Sequence, residues 1–259
     1  MPFAEDLPVR NFDQTLRRPT TDYVRFTDQY RVVLRVLNEE ARTVWRHYIT
    51  QANKGKGMSA NCPNVRADMS VCPLELSVRG LPKESQERKD KIARRRYITN
   101  VLDRTPHTIC PACNTNSPQT RSKDCISCGS DLSKADFQPL NKVKIMEGGI
   151  RLFNQGLNVI ADNQAQDFDG ADITEYDIVF TTTGENREKQ IAPNPRQPTP
   201  LPAEALLDPL TGEKQALYDL DLLAEPSSLE EINLMLQGAS KEDIFAAREN
   251  SRELEEVAN

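Results

Sequence analysis

The sequence contains few cysteines, histidines and aromatic residues, and it has no long apolar run. Its 259 residues include six cysteines, two histidines and one tryptophan, and aromatic residues make up 6%. Because no run of 18 apolar residues occurs, a transmembrane helix is excluded. Hydrophobic residues reach only 37% and charged residues 28%. That composition is lean for one compact globule of this length, so we expect part of the chain to lie outside any core.

The N-terminal stretch MPFAEDLPVRNFDQTLRRP also lacks the apolar centre of a secretory signal, and it carries acidic residues early. We therefore expect a cytoplasmic protein with no membrane partner. In a reducing cytoplasm cysteines rarely form disulfides, so the thiols need another explanation. Residues 1–20 show little periodicity and are expected to form an N-terminal arm.

Four of the six cysteines form two C-x-x-C pairs, which are separated by eleven residues. Four thiolates suit the tetrahedral coordination of zinc, and a site closed by four protein ligands is structural rather than catalytic. Gly129 follows the second pair, where a positive φ lets the backbone turn behind the metal. The sequence predicts a zinc ribbon over residues 105–132 whose folding depends on the ion. Its ligands are Cys110, Cys113, Cys125 and Cys128.

The other two cysteines, Cys62 and Cys72, are each followed by proline but belong to no C-x-x-C pair, because position 75 is Glu75. A second metal site that recruits Glu75 or His47 is one interpretation. The sequence favours two alternatives: two buried thiols without a metal, or the remnant of a metal site that has lost ligands. We therefore expect one structural zinc ion.

Alternating apolar and polar residues predict short strands separated by loops. In the first of them, alternation places Val32 and Leu34 on one face and Val33 and Arg35 on the other. Residues 51–64 read as a loop, and a helix is expected after residue 148. Five strands with one helix fit an OB-fold, a five-stranded Greek-key barrel used for single-stranded nucleic acid, although other small barrels share this count. We expect a mainly β protein whose OB-fold domain spans residues 21–193. The five predicted strands cover residues 23–37, 42–50, 94–104, 141–148 and 176–184, and residues 187–193 are a candidate hairpin partner of the last one.

The C-terminal part differs in composition from the rest of the chain. Five prolines between residues 192 and 202 predict an extended linker over 194–202. Residues 203–259 hold 14 acidic and 4 basic residues, a net charge of −10, whereas the preceding residues have a net charge of +4. Amphipathic helices are expected at 228–237 and 240–257, capped by Ser227 or Ser228 and by Ser240. We expect a flexible, partly helical acidic tail that recruits partners or aids solubility.

Binding of a single strand needs cations for the phosphates and rings that stack on unpaired bases. The alternatives are solvated surface charge for the arginines and core packing for Trp45 and Tyr97. Three adjacent guanidinium groups at 94–96 repel one another unless an anion binds. The candidate DNA contacts are Arg31, Arg35, Trp45, Arg46, Tyr48, Arg94, Arg95, Arg96, Tyr97, Arg104, Lys142 and Lys144.

The segments RRRYITNVLDRTPHTICPACNTN, CISCGSDL, PLNKVKIMEGGIRLFNQG and DITEYDIVFTTTGENREKQIAPNP resemble phage and prophage single-stranded DNA-binding proteins. That family, which is similar to the helix-destabilising proteins of large phages, implies an OB-fold with a zinc-ribbon insertion. It also implies a metal knuckle near Cys72, from which Glu75 departs. Its acidic C-termini contact replication and recombination proteins. A phage-encoded protein of this kind would act in the host cytoplasm.

These patterns favour a non-enzymatic, sequence-tolerant single-stranded DNA-binding protein that serves replication, recombination or repair. An alternative is a zinc-ribbon adaptor of the transcription machinery that acts mainly through its acidic tail. A metal-dependent nuclease is disfavoured, because the carboxylates of DFDGADITEYD lack the remaining ligands of a calcium loop and no base accompanies them.

Overall fold

The computed structural model describes residues 22–63, 72–158, 160–162, 172–184, 189–208 and 211–248. The expected N-terminal arm, residues 1–20, lies outside this part of the chain. The described residues divide into two compact units: unit 1 comprises 22–41 and 97–220, and unit 2 comprises 42–96 and 221–248. None of the helices described here combines the length and the apolarity needed to cross a lipid bilayer.

The regular elements make this a mainly β protein, as expected. In chain order the strands are β1 (Val32–Val36), β2 (Arg42–Ile49), β3 (Met58–Asn61), β4 (Arg94–Asp103), β5 (Pro106–Ile109), β6 (Asn116–Pro118), β7 (Gln138–Pro139), β8 (Lys142–Gly148), β9 (Ile178–Thr183) and β10 (Gln190–Pro195). The described α-helices include α1 (Pro73–Val78), α2 (Gln86–Lys91), α3 (Ile150–Leu152), α4 (Leu220–Ala224) and α5 (Leu229–Leu236), and residues 241–248 are also helical.

Unit 1 is built on five antiparallel strands in the order β10-β9-β1-β4-β8. β1 lies between two partners, and all five of its residues are buried. Both faces of this strand are covered, since Val33 and Arg35 are only 3% and 1% exposed. After β8, α3 continues into a π-helical turn, Phe153–Leu157. Buried side chains beneath the sheet include Leu34, Val101, Met146, Phe153, Ile178 and Phe180.

Pairing also extends into the proline-rich segment that was expected to be a linker. β10 contains Pro193 and Pro195 and pairs with β9 alone among the described strands. Proline is tolerated at such an edge because no second partner needs its missing N–H. Residues 196–202 then continue without regular structure.

Unit 2 contains the β2–β3 hairpin, which is paired from Arg46↔Asn61 to Ile49↔Met58. β3 falls within residues 51–64, which were predicted to form a loop. Neighbouring Gly and Asn residues hide its short apolar pattern. The unit's core combines hairpin and helix residues with the C-terminal segment, and it contains Ile49, Ala52, Ala60, Cys62, Cys72, Leu74, Ala93, Ile232, Met235 and Ile244.

The C-terminal segment is therefore packed as far as residue 248, contrary to the expected flexible tail. Ala205 and Leu206 are buried in unit 1, whereas Ile232 and Ile244 are fully buried in unit 2. The Asn61 amide holds this segment through bonds of 2.8 and 2.7 Å to the carbonyls of residues 223 and 225. The apolar positions that suggested partner binding are used by the chain's own hairpin.

The predicted helix caps are present. The Ser228 hydroxyl accepts a hydrogen bond from the Glu231 amide at 3.1 Å, and the Glu231 carboxylate accepts one from the Ser228 amide at 2.9 Å. The Ser240 hydroxyl likewise accepts from the Asp243 amide at 3.3 Å. These two caps fix where α5 and the helix at 241–248 begin.

We predict that Ile232→Ala destabilises unit 2 by about 2–5 kcal/mol, because it leaves a cavity in a closed core. Urea unfolding followed by circular dichroism measures this loss. The matched control is Asn233→Ala, because Asn233 is the next residue of α5 and is exposed. This substitution should change the free energy of unfolding by less than about 0.5 kcal/mol. Equal stability of the two variants would show that the C-terminal segment does not complete this core.

Candidate metal centres and nucleic-acid interface

The predicted zinc ligands lie on two knuckles of the same shape. In the first, the Asn114 amide donates to the Cys110 carbonyl at 2.8 Å; in the second, the Gly129 amide donates to the Cys125 carbonyl at 2.9 Å. Both residues have left-handed backbones, with φ values of 54° and 73°. Gly129 therefore has the predicted conformation. Asn114 fills the equivalent position because asparagine tolerates it better than most residues do.

The four sulfurs converge on one point. Cys110 Sγ lies 3.7 Å from Cys128 Sγ, and Cys113 Sγ lies 3.6 Å from Cys125 Sγ. All four lie within 4.8 Å of one another. A tetrahedral ion with Zn–S bonds of about 2.3 Å separates its sulfurs by about 3.8 Å. The cluster is therefore close enough to bind a metal ion and is compatible with zinc.

Local hydrogen bonds prepare these thiols for coordination. The backbone amide of Ser127 is the main cause that lowers the pKa of Cys125, to about 5. The Ser130 hydroxyl and amide lower the pKa of Cys128. Burial instead raises the pKa of Cys110 to about 11, so this thiol ionises only when a cation is close. Metal binding would release its proton.

The ribbon has almost no apolar core apart from these cysteines. Leu132 is the one other buried hydrophobic residue in this cluster, and Ala135 and Phe137 are partly buried. The ribbon's sheet, ordered β6-β5-β7, has at most four residues in any strand. A domain with so small a core needs a further cross-link, and a metal ion bound by the four thiolates would supply one.

The structure also brings together a second group of potential ligands. His47, Cys62 and Cys72 are buried, and their ligand atoms lie within 4.8 Å of one another. Glu75 Oε1 lies 3.9 Å from Cys62 Sγ. The sequence favoured two thiols without a metal, because the second C-x-x-C pair is incomplete. The sequence pattern does not show that His47 on β2 lies beside both Cys62, which follows β3, and Cys72, which precedes α1.

The imidazole of His47 is oriented as in many metal sites. Nδ1 lies 2.7 Å from the Lys91 carbonyl, to which it can donate, while Nε2 lies 3.4 Å from Cys72 Sγ. Such a bond from the far ring nitrogen fixes the tautomer of metal-binding histidines. Hydrogen bonds from Cys62 and then His47 lower the pKa of Cys72 to about 4. Burial opposes protonation of His47, but the hydrogen bond and charge of Cys72 outweigh it and raise the pKa of His47.

The candidate DNA contacts in unit 1 are mostly engaged within the fold. Arg35 and Arg104 both pair with Asp177, at 2.8 and 3.2 Å, and Lys144 pairs with Asp103 at 2.9 Å. The structure assigns Arg35 to the interior, since it is 1% exposed. Tyr97 is likewise buried and stacks on Phe153, with 5.3 Å between ring centroids. Lys142 pairs with Asp22 at 2.8 Å, and Arg31 is exposed.

The candidates in unit 2 lie nearer the surface. Trp45 and Tyr48 are 41% and 57% exposed, although strand alternation places them on opposite faces of β2. Arg46 and Arg96 are partly buried, whereas Arg94 and Arg95 are exposed. Arg94 donates to the Lys89 carbonyl at 3.1 Å. Residues 42–96 contain 13 basic and 5 acidic residues, a net charge of +8.

Comparisons with known proteins add no family assignment. No protein-family model matches the chain, and no curated protein matches it significantly. The site is therefore interpreted from its own geometry.

We predict that the double variant Cys110→Ser/Cys125→Ser loses one equivalent of bound metal, because each knuckle then keeps only one thiolate. Mass spectrometry of the purified protein measures the metal content. Hydrogen exchange of the Cys125 and Gly129 amides should quicken, while amides in β1 keep their protection. The double variant Ser122→Ala/Ser133→Ala, which alters the same ribbon but no ligand, should retain the metal. Unchanged metal content in the cysteine variant would contradict a four-thiolate site.

Proposed function

We propose that this protein binds single-stranded DNA without sequence preference and protects it during replication, recombination or repair. It would act without catalysis, by neutralising phosphates and stacking on unpaired bases. Zinc at Cys110, Cys113, Cys125 and Cys128 would hold the ribbon, and no reaction would occur there.

The main support for this proposal is that unit 2 exposes aromatic rings within a strongly basic segment. The exposed aromatic side chains of Trp45 and Tyr48 lie in a segment with a net charge of +8. An exposed aromatic ring offers a face on which an unpaired base can stack. Rings among many cations are suited to unpaired bases and their phosphates rather than to an apolar partner.

The pairing of strands in unit 1 supports an OB-fold. The strands of that fold form the pairs 1–2, 1–4, 2–3, 4–5 and 3–5. A helix follows strand 3. Taken as strands one to five, β1, β4, β8, β9 and β10 make all of these pairs except the last, and α3 follows β8. Residues 42–93 then occupy the loop between the first two strands, a loop that contacts oligonucleotides in such folds.

The alternative adaptor function is less well supported. It requires the apolar faces of the C-terminal helices to reach a partner, yet Ile232, Met235 and Ile244 are at most 1% exposed. Recruitment of replication or recombination proteins would instead use exposed side chains of this segment. Leu229 and Phe245, which are 38% and 40% exposed, are available for that contact.

We also propose a second zinc ion at His47, Cys62 and Cys72, with Glu75 able to supply the fourth ligand. The donor set, one imidazole and two thiols with one lowered pKa, suits zinc. The ion would join β2 and β3 to the start of α1 in a core that is otherwise apolar.

A titration of Trp45 fluorescence tests the main proposal. We predict that oligo-dT changes the emission and that affinity falls steeply as salt rises, because bound phosphates release counterions. Duplex DNA of equal length should bind more weakly, and oligo-rU reports any preference for DNA. A failure of oligo-dT to bind at the lowest salt that keeps the protein soluble would refute the proposal.

The second ion has its own test. We predict two equivalents of zinc in the wild-type protein and one in Cys72→Ser, with the ribbon's ion retained. Cobalt substitution distinguishes the sites, because four thiolates and a mixed imidazole–thiolate set absorb at different wavelengths. A wild-type protein that carries one equivalent would show that this group holds no metal.

A further inference from the structure

We infer that the loop joining β2 to β3, residues 50–57, is a phosphate-binding arm of the nucleic-acid surface, with Lys54 and Lys56 as its cations and Tyr48 as its stacking ring. This inference rests on the proposed function and adds an element to it. Neither lysine was among the residues predicted from the sequence. The arm lies entirely within unit 2.

The backbone conformation of Lys54 is unusual for a lysine. Its φ is 54°, between Asn53 at 52° and Gly55 at 81°. In the left-handed region a side chain with a Cβ is strained, and glycine or asparagine is the ordinary choice. The Lys54 side chain is exposed at the tip of the hairpin.

The loop is held firmly by hydrogen bonds within unit 2. The amides of Asn53 and Lys54 donate to the carbonyls of Ala239 and Gly238, at 3.0 and 3.3 Å. The amide of Gly55 donates to Gln51 and that of Gly57 to Ala52, both at 3.0 Å. Since these amides are used, anions would meet the lysine side chains rather than the backbone. An arm fixed before binding loses little conformational entropy when DNA arrives.

Tyr48 is part of the same arm. A Cβ placed on Gly57 would lie 2.2 Å from the Tyr48 hydroxyl oxygen and 2.6 Å from Cζ, so the end of the ring lies directly against this glycine. The φ of Gly57, 78°, also favours glycine. The loop therefore supports the ring from one side, while 57% of the residue stays exposed. Arg46 lies two residues earlier, on the same face of β2.

The charges of the arm are available to a ligand. Among the described residues, neither Lys54 nor Lys56 forms an ion pair within 4.0 Å, and both are exposed. The charge of Lys54 acts on one carboxylate of the same unit, that of Glu242. The pKa of this carboxyl is lowered mainly by its own backbone amide and by Ser240, and only then by the charge of Lys54. Because Glu242 forms no ion pair with Lys54 within 4.0 Å, a phosphate with two free oxygens would compete well against this carboxylate.

The test compares Lys54→Gly with Lys123→Gly. Lys123 lies in the ribbon, is exposed, and also has a left-handed backbone, with φ of 64°. Both variants remove one charge and relieve the same strain, so neither should lower the melting temperature. Fluorescein-labelled oligo-dT, followed by anisotropy over a range of salt concentrations, reports affinity. A third variant, Tyr48→Leu, removes the ring and keeps an apolar side chain.

We expect Lys54→Gly to bind oligo-dT at least about threefold more weakly at low salt, with the slope of log K against log salt reduced by about 0.7. Tyr48→Leu should lose about fivefold or more, with the slope unchanged. Lys123→Gly should match the wild type. If the wild type binds but Lys54→Gly behaves like Lys123→Gly, the arm is refuted while the proposed function stands. If the wild type ignores oligo-dT, the proposed function itself has failed.

Discussion

Burial of the C-terminal apolar side chains against the β2–β3 hairpin is the interaction on which unit 2 depends. Ile232, Met235 and Ile244 fill a core that the hairpin and the short helix α1 leave open. Charge favours the same arrangement, because residues 42–96 have a net charge of +8 and residues 221–259 contain 10 acidic and 3 basic residues. The hairpin therefore holds its potential metal ligands and its exposed rings only when both segments of unit 2 contribute.

The two cysteine groups have opposite surroundings within the chain. In the ribbon, Leu132 is the only other buried apolar residue of its cluster, so the thiolates would take the place of a core. Around His47, Cys62 and Cys72 the reverse holds, since these polar ligands lie among buried apolar residues. A metal ion there would compensate the cost of burying a thiolate and an imidazole, which is high when such groups are not neutralised.

Sequence reasoning succeeded where a local pattern determines the structure. The knuckles, the cap at Ser228 and the strands β2, β4 and β8 all depend on spacing or alternation within a few residues. It failed where distant residues decide. β1 is buried on both faces because Asp177, 142 positions after Arg35, neutralises that arginine. The second cysteine group needed the pairing of two strands, and the packing of residues 221–248 needed a surface made more than a hundred residues earlier.

The order in which the ribosome makes these parts has a consequence for biogenesis. Leu74 and the two cysteines beside it emerge roughly 160 residues before Ile232, which covers them. At a synthesis rate of 5–20 residues per second, the hairpin would remain without its apolar cover for roughly 10 to 30 s. During that interval its thiols and hydrophobic side chains are open to chaperones, oxidants and cellular zinc. Zinc can therefore reach the hairpin's thiols before the residues that cover them have been synthesised.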